Sequence, residues 1–130
     1  MTKQQQENQS SQQMTTPEIH LPVGTHLIVE LYGCSEFRFS RKNLEQMAQA
    51  CGAKSLAYAS YQFQPQGQSG VLLLEESHIT IHTYPEFGYI AVDVFTCGKE
   101  PDPYQAIKVL KALFRPKYIL INEIQRGVNV

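Results

Sequence analysis

The chain has 130 residues, 42% of them hydrophobic, and a formal net charge of −1. This length fits one domain with a modest core, and the scattered basic residues form no electrostatic footprint for nucleic acid or an acidic membrane. No apolar run approaches the ~20 residues of a membrane span, and the polar N-terminus lacks the apolar middle of a signal peptide. Three widely spaced cysteines, Cys34, Cys51 and Cys97, predict free thiols in a cytoplasmic protein.

The N-terminal residues 1–18 are rich in Gln, Ser and Thr and contain almost nothing apolar. Such a segment cannot bury enough surface to offset the entropy lost on ordering. The sequence therefore predicts a disordered tail, followed by a single domain over residues 19–130.

The predicted elements then follow in chain order. A β-type run ends at Gly33, and the next apolar residues recur at helical spacing, with Ser40 or Asn43 as N-cap and Gly52 just past the end. This helix buries Cys51, where a thiol packs more often than it reacts. A second helix is predicted to start at Asp102-Pro103. The predicted strands are residues 25–32, 56–63, 71–74, 79–83, 89–97 and 118–121.

The resulting order, β-α-β-β-β-β-α-β, favours an α+β two-layer sandwich in which an antiparallel sheet carries two helices on one face. Alternation along residues 89–97 gives both faces of the sheet large apolar groups. One face holds Ile90, Val92 and Val94, and the other holds Ala91, Asp93, Phe95 and Cys97. We therefore expect a second copy of the chain to cover the helix-free face, making a homodimer.

Most polar side chains capable of chemistry lie between Gly67 and Gly98. His78 and His82 share one side of a strand and could pair on a metal, but no third ligand stands at a typical spacing, so we predict no metal site. By parity Ser77 and His82 lie on opposite faces of a regular strand. Cys97, at a strand end, fits either a reactive thiol or a small buried hydrophobe.

Two neighbouring stretches carry a family resemblance. Residues 76–86, ESHITIHTYPE, and residues 88–98, which contain Gly88-Tyr89 and AVDVFTCG, are similar to the prokaryotic S-adenosylmethionine decarboxylase proenzymes. The resemblance is to the short bacterial and archaeal form, and it extends more loosely from about Gly24 to Gly127.

This resemblance implies a chain that cuts itself to make its own cofactor. The matching bond is Glu76–Ser77, which would give a β-chain of residues 1–76 and an α-chain of residues 77–130. Ser77 would become a pyruvoyl group that forms a Schiff base with the substrate. The residues that match Ser69 and His82 assist processing, and Cys97 matches the general acid of catalysis, a role that suits a thiol.

The resemblance also implies the substrate contacts. Phe63 and Tyr84 would surround the adenine of S-adenosylmethionine, and Glu86 would bind the ribose hydroxyls. The family often has tryptophan where this chain has Tyr84, which leaves a smaller stacking surface. In family dimers the sites draw on both protomers, in agreement with the uncovered sheet face.

Two alternatives stay open at this point. A pyruvoyl-dependent arginine or ornithine decarboxylase shares the processing residues, although Glu86 and the paired aromatic rings favour a nucleoside substrate and hence a role in spermidine synthesis. A non-catalytic regulatory paralogue would keep the fold, but it would not need Ser69, Ser77, His82 and Cys97 together.

Overall fold

The computed structural model of this protein describes residues 22–128 and residue 130, so the predicted tail, residues 1–18, lies outside the described part. The elements are β1 (Gly24–Tyr32), α1 (Arg41–Cys51), β2 (Ser55–Gln62), β3 (Gln68–Leu74), β4 (Ser77–Tyr84), β5 (Tyr89–Cys97), α2 (Gln105–Phe114) and β6 (Tyr118–Arg126). A 3-10 turn, Pro85–Phe87, joins β4 to β5. Within the described residues, no helix is long and apolar enough to cross a membrane.

The six strands form one antiparallel sheet in the order β2-β3-β4-β5-β1-β6. The predicted α+β sandwich and its element order are confirmed. Consecutive strands β2 to β5 are adjacent, as short turns require, and β1 lies between β5 and β6.

The core lies between the sheet and the two helices. Alternate residues of β1 and β5 point into it, including Leu27, Val29 and Val92, which are at most 1% exposed. The helices contribute their apolar stripes, and each stripe is buried against the sheet. These stripes are Leu44, Met47, Ala48 and Cys51 in α1, and Ala106, Leu110 and Phe114 in α2.

The other side of the sheet, which we call the open face, carries the residues that alternate with the core. Paired residues in an antiparallel ladder share a face, so the register assigns each strand's side chains to it. Many are large and apolar with more than a third of their surface exposed: Val71, Leu73, Tyr84, Tyr118, Leu120 and Ile124.

The helix ends are set by local hydrogen bonds. Ser40 is the N-cap of α1 and forms a capping box with Asn43, and Gly52 ends the helix with φ 83°, as predicted. The predicted start of α2 is two residues early. Pro103 and Tyr104 form a turn, in which the Asp102 carboxylate accepts from the Tyr104 backbone N–H at 3.0 Å, and the α-helix begins at Gln105.

Candidate active site

The turn between β3 and β4 has an unusual backbone. Glu75 and Glu76 form a two-residue hairpin turn, because Leu74 pairs directly with Ser77. Glu76 has φ 59°, in the left-handed region that costs a residue with a side chain about 1–2 kcal/mol. The Glu75 backbone N–H is tied to the Lys54 carbonyl at 3.1 Å, which holds the turn in place. The peptide bond between Glu76 and Ser77 therefore follows a strained residue.

The Cys97 thiol lies against this turn. Its Sγ donates to the Glu76 carbonyl oxygen across 2.8 Å, and Ser77 is 8% exposed on the helix side of the sheet. Gly24, the first residue of β1, pairs with Cys97 of β5. A Cβ at Gly24 would lie 3.2 Å from the thiol and 2.7 Å from the Phe95 ring. We call Glu76, Ser77 and Cys97 the hairpin end of the site.

Ser69 and His82 meet further along the same two strands. They are directly opposite in the β3–β4 ladder, and Ser69 Oγ lies 2.7 Å from His82 Nδ1. The same pair borders a cavity of about 470 Å³ that is also lined by Phe63, Tyr84 and Glu86. We call these five residues the pair end of the site.

The two ends are separate within one chain. Ser77 and His82 stand five positions apart on β4, which is about 16 Å of strand at ~3.3 Å per residue. Ser77 also faces the helices whereas His82 lies on the open face, as parity predicted. One chain therefore joins Ser69 with His82 and Cys97 with the Glu76 carbonyl, but it does not join the two groups.

The aromatic rings at the pair end belong to two different clusters. Phe63 contacts Tyr61 in a T-shaped arrangement with ring centroids 4.8 Å apart. Tyr84 stacks on Tyr89 at 5.5 Å, and this stack continues through Tyr32 to Tyr118 across the open face. The Tyr89 hydroxyl donates to Glu30. Burial is the larger cause that raises the pKa of Tyr89, and this hydrogen bond is the next.

A polar network on the open face was not predicted. His26 Nε2 lies 2.9 Å from Asp93 Oδ1, and Arg126 Nη1 lies 3.1 Å from His26 Nδ1. A guanidinium only donates, so Nδ1 accepts and Nε2 carries the proton that goes to Asp93. His78 packs edge-on against His26, and burial and then the neighbouring His26 lower the pKa of His78. His26 and Asp93 are 67 positions apart in the sequence, so their spacing gave no indication of this contact.

The remaining thiols and the histidine pair have simpler environments. Burial raises the pKa of both Cys34 and Cys51 to about 11, and Cys51 packs on the buried face of α1 as predicted. His78 and His82 do share the open face. In the part of the chain that the structure describes, however, no three His, Cys, Asp or Glu side chains are grouped to hold a metal ion.

The comparisons with known proteins agree with one another. The family model for S-adenosylmethionine decarboxylase matches residues 25–127. An S-adenosylmethionine decarboxylase proenzyme from Caldicellulosiruptor saccharolyticus is 43% identical over 111 residues, covering 82% of this chain and 90% of the relative. One from Methanococcus maripaludis is 40% identical over 111 residues, covering 82% and 91%.

A solved structure is similar as well. The adenosylmethionine decarboxylase from Aquifex aeolicus VF5 superposes with a TM-score of 0.76 at 34% identity, covering 85% of this chain and 96% of that chain. Similarity of sequence and of fold thus leads to the same family over most of the chain. The chain belongs to the S-adenosylmethionine decarboxylase family.

Proposed function

We propose that this chain is a self-processing decarboxylase that converts S-adenosylmethionine to its decarboxylated form and CO₂, using a pyruvoyl group made from Ser77. Family membership supports the reaction. The observation that carries the self-processing is the hairpin end, where the Cys97 thiol donates to the carbonyl of the strained residue Glu76 at 2.8 Å. The similar relatives are named S-adenosylmethionine decarboxylase proenzymes. These names do not favour the alternative hypotheses of an arginine or ornithine decarboxylase or of a non-catalytic paralogue.

Self-cleavage would begin with the Ser77 hydroxyl. Its Oγ attacks the Glu76 carbonyl carbon, the C–N bond breaks as an ester C–O bond forms, and the hydroxyl proton passes to the leaving amine. The left-handed φ of Glu76 makes the amide easier to break, because strain is released as the bond opens. The thiol hydrogen bond stabilises the negative charge that develops on the carbonyl oxygen.

Elimination then completes the cut. The Ser77 Cα proton is removed and the Oγ–Cβ bond breaks, which releases residues 1–76 with Glu76 as the new carboxyl terminus. The dehydroalanine at position 77 tautomerises to an imine, and water hydrolyses it to ammonia and the ketone. A hydroxyl–imidazole pair such as Ser69 and His82 is suited to take up that proton.

The separation of the two ends supports a dimer. His82 and Ser77 are about 16 Å apart along β4, too far for proton transfer within one chain. A twofold axis through the open face would set the pair end of one copy over the hairpin end of its partner and would bury the exposed Leu73, Leu120 and Ile124. Two equivalent sites would result, each drawing on both chains.

The same arrangement would serve decarboxylation. The pyruvoyl ketone, once made, supplies an electron sink for the loss of CO₂. Phe63 and Tyr84 border the cavity of the pair end and would contact the faces of adenine, while the Glu86 carboxylate would accept from the ribose hydroxyls. Cys97 would return a proton to the substrate carbon.

Mass spectrometry of the freshly purified full chain tests the self-processing. We expect two fragments, residues 1–76 and residues 77–130, the second beginning with a ketone, and Ser77→Ala should give one uncut, inactive chain. An active protein with an unbroken backbone and an ordinary serine would overturn the proposal. Release of labelled CO₂ from S-adenosylmethionine, compared with arginine and ornithine, tests the substrate.

A further inference from the structure

Gly70 follows Ser69 in β3 at a point where a side chain has no room. A Cβ built there would lie 2.4 Å from Phe39 Cε1 and 2.9 Å from Phe39 Cζ, closer than real Cβ atoms approach other atoms. Gly70 is not among the residues with positive φ, so the backbone does not need glycine for its conformation. Glycine is there for space, because it lets the Phe39 ring lie against the strand.

The Phe39 ring cannot easily move aside. It is 6% exposed and packs edge-on against Phe114, with ring centroids 6.4 Å apart, and Phe114 is fully buried behind it. A methyl group at position 70 would therefore displace β3 rather than the ring. The displacement is about 0.6 Å even to reach the 3.0 Å limit for such contacts.

The segment between β1 and α1, which contains Phe39, also contacts Gln68, the residue before Ser69. Gln68 Nε2 donates to the Phe39 carbonyl at 3.0 Å, and the Gln68 backbone N–H donates to Thr83 Oγ1 at 2.9 Å. Thr83 is 5% exposed and directly follows His82. Contacts on the helix side of the sheet thus fix both neighbours of Ser69 and one neighbour of His82.

We propose that Gly70 is a positioning residue for the Ser69–His82 pair, and that the Phe39 ring seated on it sets the spacing of that pair from the opposite face of the sheet. The 2.7 Å contact between Ser69 Oγ and His82 Nδ1 depends on where β3 lies relative to β4. A shift of several tenths of an ångström at Gly70 lengthens or tilts this hydrogen bond, which weakens steeply with distance and angle. This inference rests on the proposed self-cleavage, in which the pair moves a proton.

The test compares Gly70→Ala with a matched destabilising variant, Leu110→Ala, which empties a fully buried position in α2. Both full-length precursors are followed from synthesis on denaturing gels, with and without hydroxylamine, which cleaves an ester but not an amide. We expect Gly70→Ala to be cut about tenfold more slowly than the wild type, with accumulation of the ester, because elimination waits for the displaced pair. Leu110→Ala should be cut within about twofold of the wild type, even if it unfolds more easily.

A second change separates positioning from folding. Adding Phe39→Leu to Gly70→Ala removes the clashing ring atoms, so the cutting rate should recover to within about threefold of the wild type while the unfolding midpoint falls further. The inference is overturned if Gly70→Ala is cut at the wild-type rate, if Leu110→Ala is slowed as much, or if the double variant stays as slow as the single one. Should Gly70→Ala be insoluble, Gln68→Ala decides: a rate about threefold slower with ester present supports the inference, and an unchanged rate overturns it. An uncut wild-type chain would instead refute the proposed function.

Discussion

The hairpin end and the pair end of the site are built by different physical means. At the hairpin end, backbone strain at Glu76 and a thiol hydrogen bond act on one peptide carbonyl. At the pair end, strand register sets a serine against a histidine beside a cavity with aromatic and acidic walls. The first arrangement can activate a bond and the second can move protons and bind a ligand. The proposed chemistry needs both, and this is why we propose a site shared between two chains.

Mixing two inactive chains gives the largest expected effect. Ser77→Ala damages the hairpin end and His82→Ala damages the pair end, so each alone should be inactive. Co-expressed, the two variants should form mixed dimers with one intact site, and random pairing should restore about a quarter of wild-type CO₂ release from S-adenosylmethionine.

The control for this experiment combines two lesions at the same end. Ser77→Ala co-expressed with Cys97→Ala should recover no more activity than Cys97→Ala alone, because every site lacks one hairpin-end residue. If the Ser77→Ala and His82→Ala mixture also stays inactive while mixed dimers are present on a native gel, the shared site is wrong.

Loss of the thiol should separate the two jobs of the hairpin end. Cys97→Ala should still be cut, though more slowly, but its turnover should fall by about 100-fold because a general acid is missing. Without that acid the proton can be added to the cofactor carbon instead of the substrate carbon. Hydrolysis then leaves the substrate's amino group on the cofactor, so an α-chain with an N-terminal alanine should accumulate and be visible by mass spectrometry. Cys34→Ala is the control: the pKa of Cys34 is raised to about 11 by burial, and its loss should leave turnover unchanged. Normal turnover in Cys97→Ala would remove Cys97 from the acid role.

Relief of the strain at Glu76 should have a smaller effect. Glu76→Gly should be cut several-fold more slowly, because glycine holds the left-handed conformation without strain and the strain then no longer lowers the barrier to cleavage. Each ~1.4 kcal/mol added to the activation free energy slows the reaction tenfold. In an uncleavable Ser77→Ala background, the same change should raise the free energy of unfolding by about 0.5 kcal/mol in a urea titration, because the entropy that glycine loses on folding offsets part of the relieved strain. Glu75→Gly, at a neighbour without positive φ, should leave the cutting rate near that of the wild type; equal slowing in both variants would discount strain.

The sequence predicted what local patterns determine. Alternation along residues 89–97 placed Cys97 on the face opposite Ile90, Val92 and Val94, and the Ser40 cap and Gly52 bounded α1. Strand lengths were less predictable, since backbone pairing and not side-chain apolarity sets them. β6 runs to Arg126 and β3 starts at Gln68, because both strands keep pairing with β1 or β4 through polar residues.

The candidate site depended more on register. Ser69 and His82 are 13 residues apart, and only the two-residue turn at Glu75–Glu76 places them opposite each other. The φ of Glu76 has no sequence signal, since glutamate rarely adopts it. Gly70 lies outside the predicted strand 71–74, and only the observed extent of β3 makes it a glycine within a strand, which indicates a close approach by another group, here the Phe39 ring.

The two histidines of β4 give the smallest predicted effect and compare the ends once more. His78, near the hairpin end, has a lowered pKa because it is partly buried and because His26 lies beside it, with Arg126 adding to the shift and Asp93 opposing it. A folded pKa below the unfolded value means that the unfolded chain takes up the proton more readily. The stability that His78 contributes is therefore present above about pH 7 and is lost as the pH falls through about 6.5 and below.

All of these proteins carry Ser77→Ala so that they stay uncut. The urea midpoint of unfolding should fall less between pH 7.5 and pH 5.5 in the protein that also carries His78→Gln than in the protein that keeps His78. In His82→Gln, at the exposed pair end, the urea midpoint should fall as much as in the protein with both histidines, because the change leaves the contact of His78 with His26 intact. An identical pH dependence in all three proteins would show that His78 is not the group that senses protons at the hairpin end.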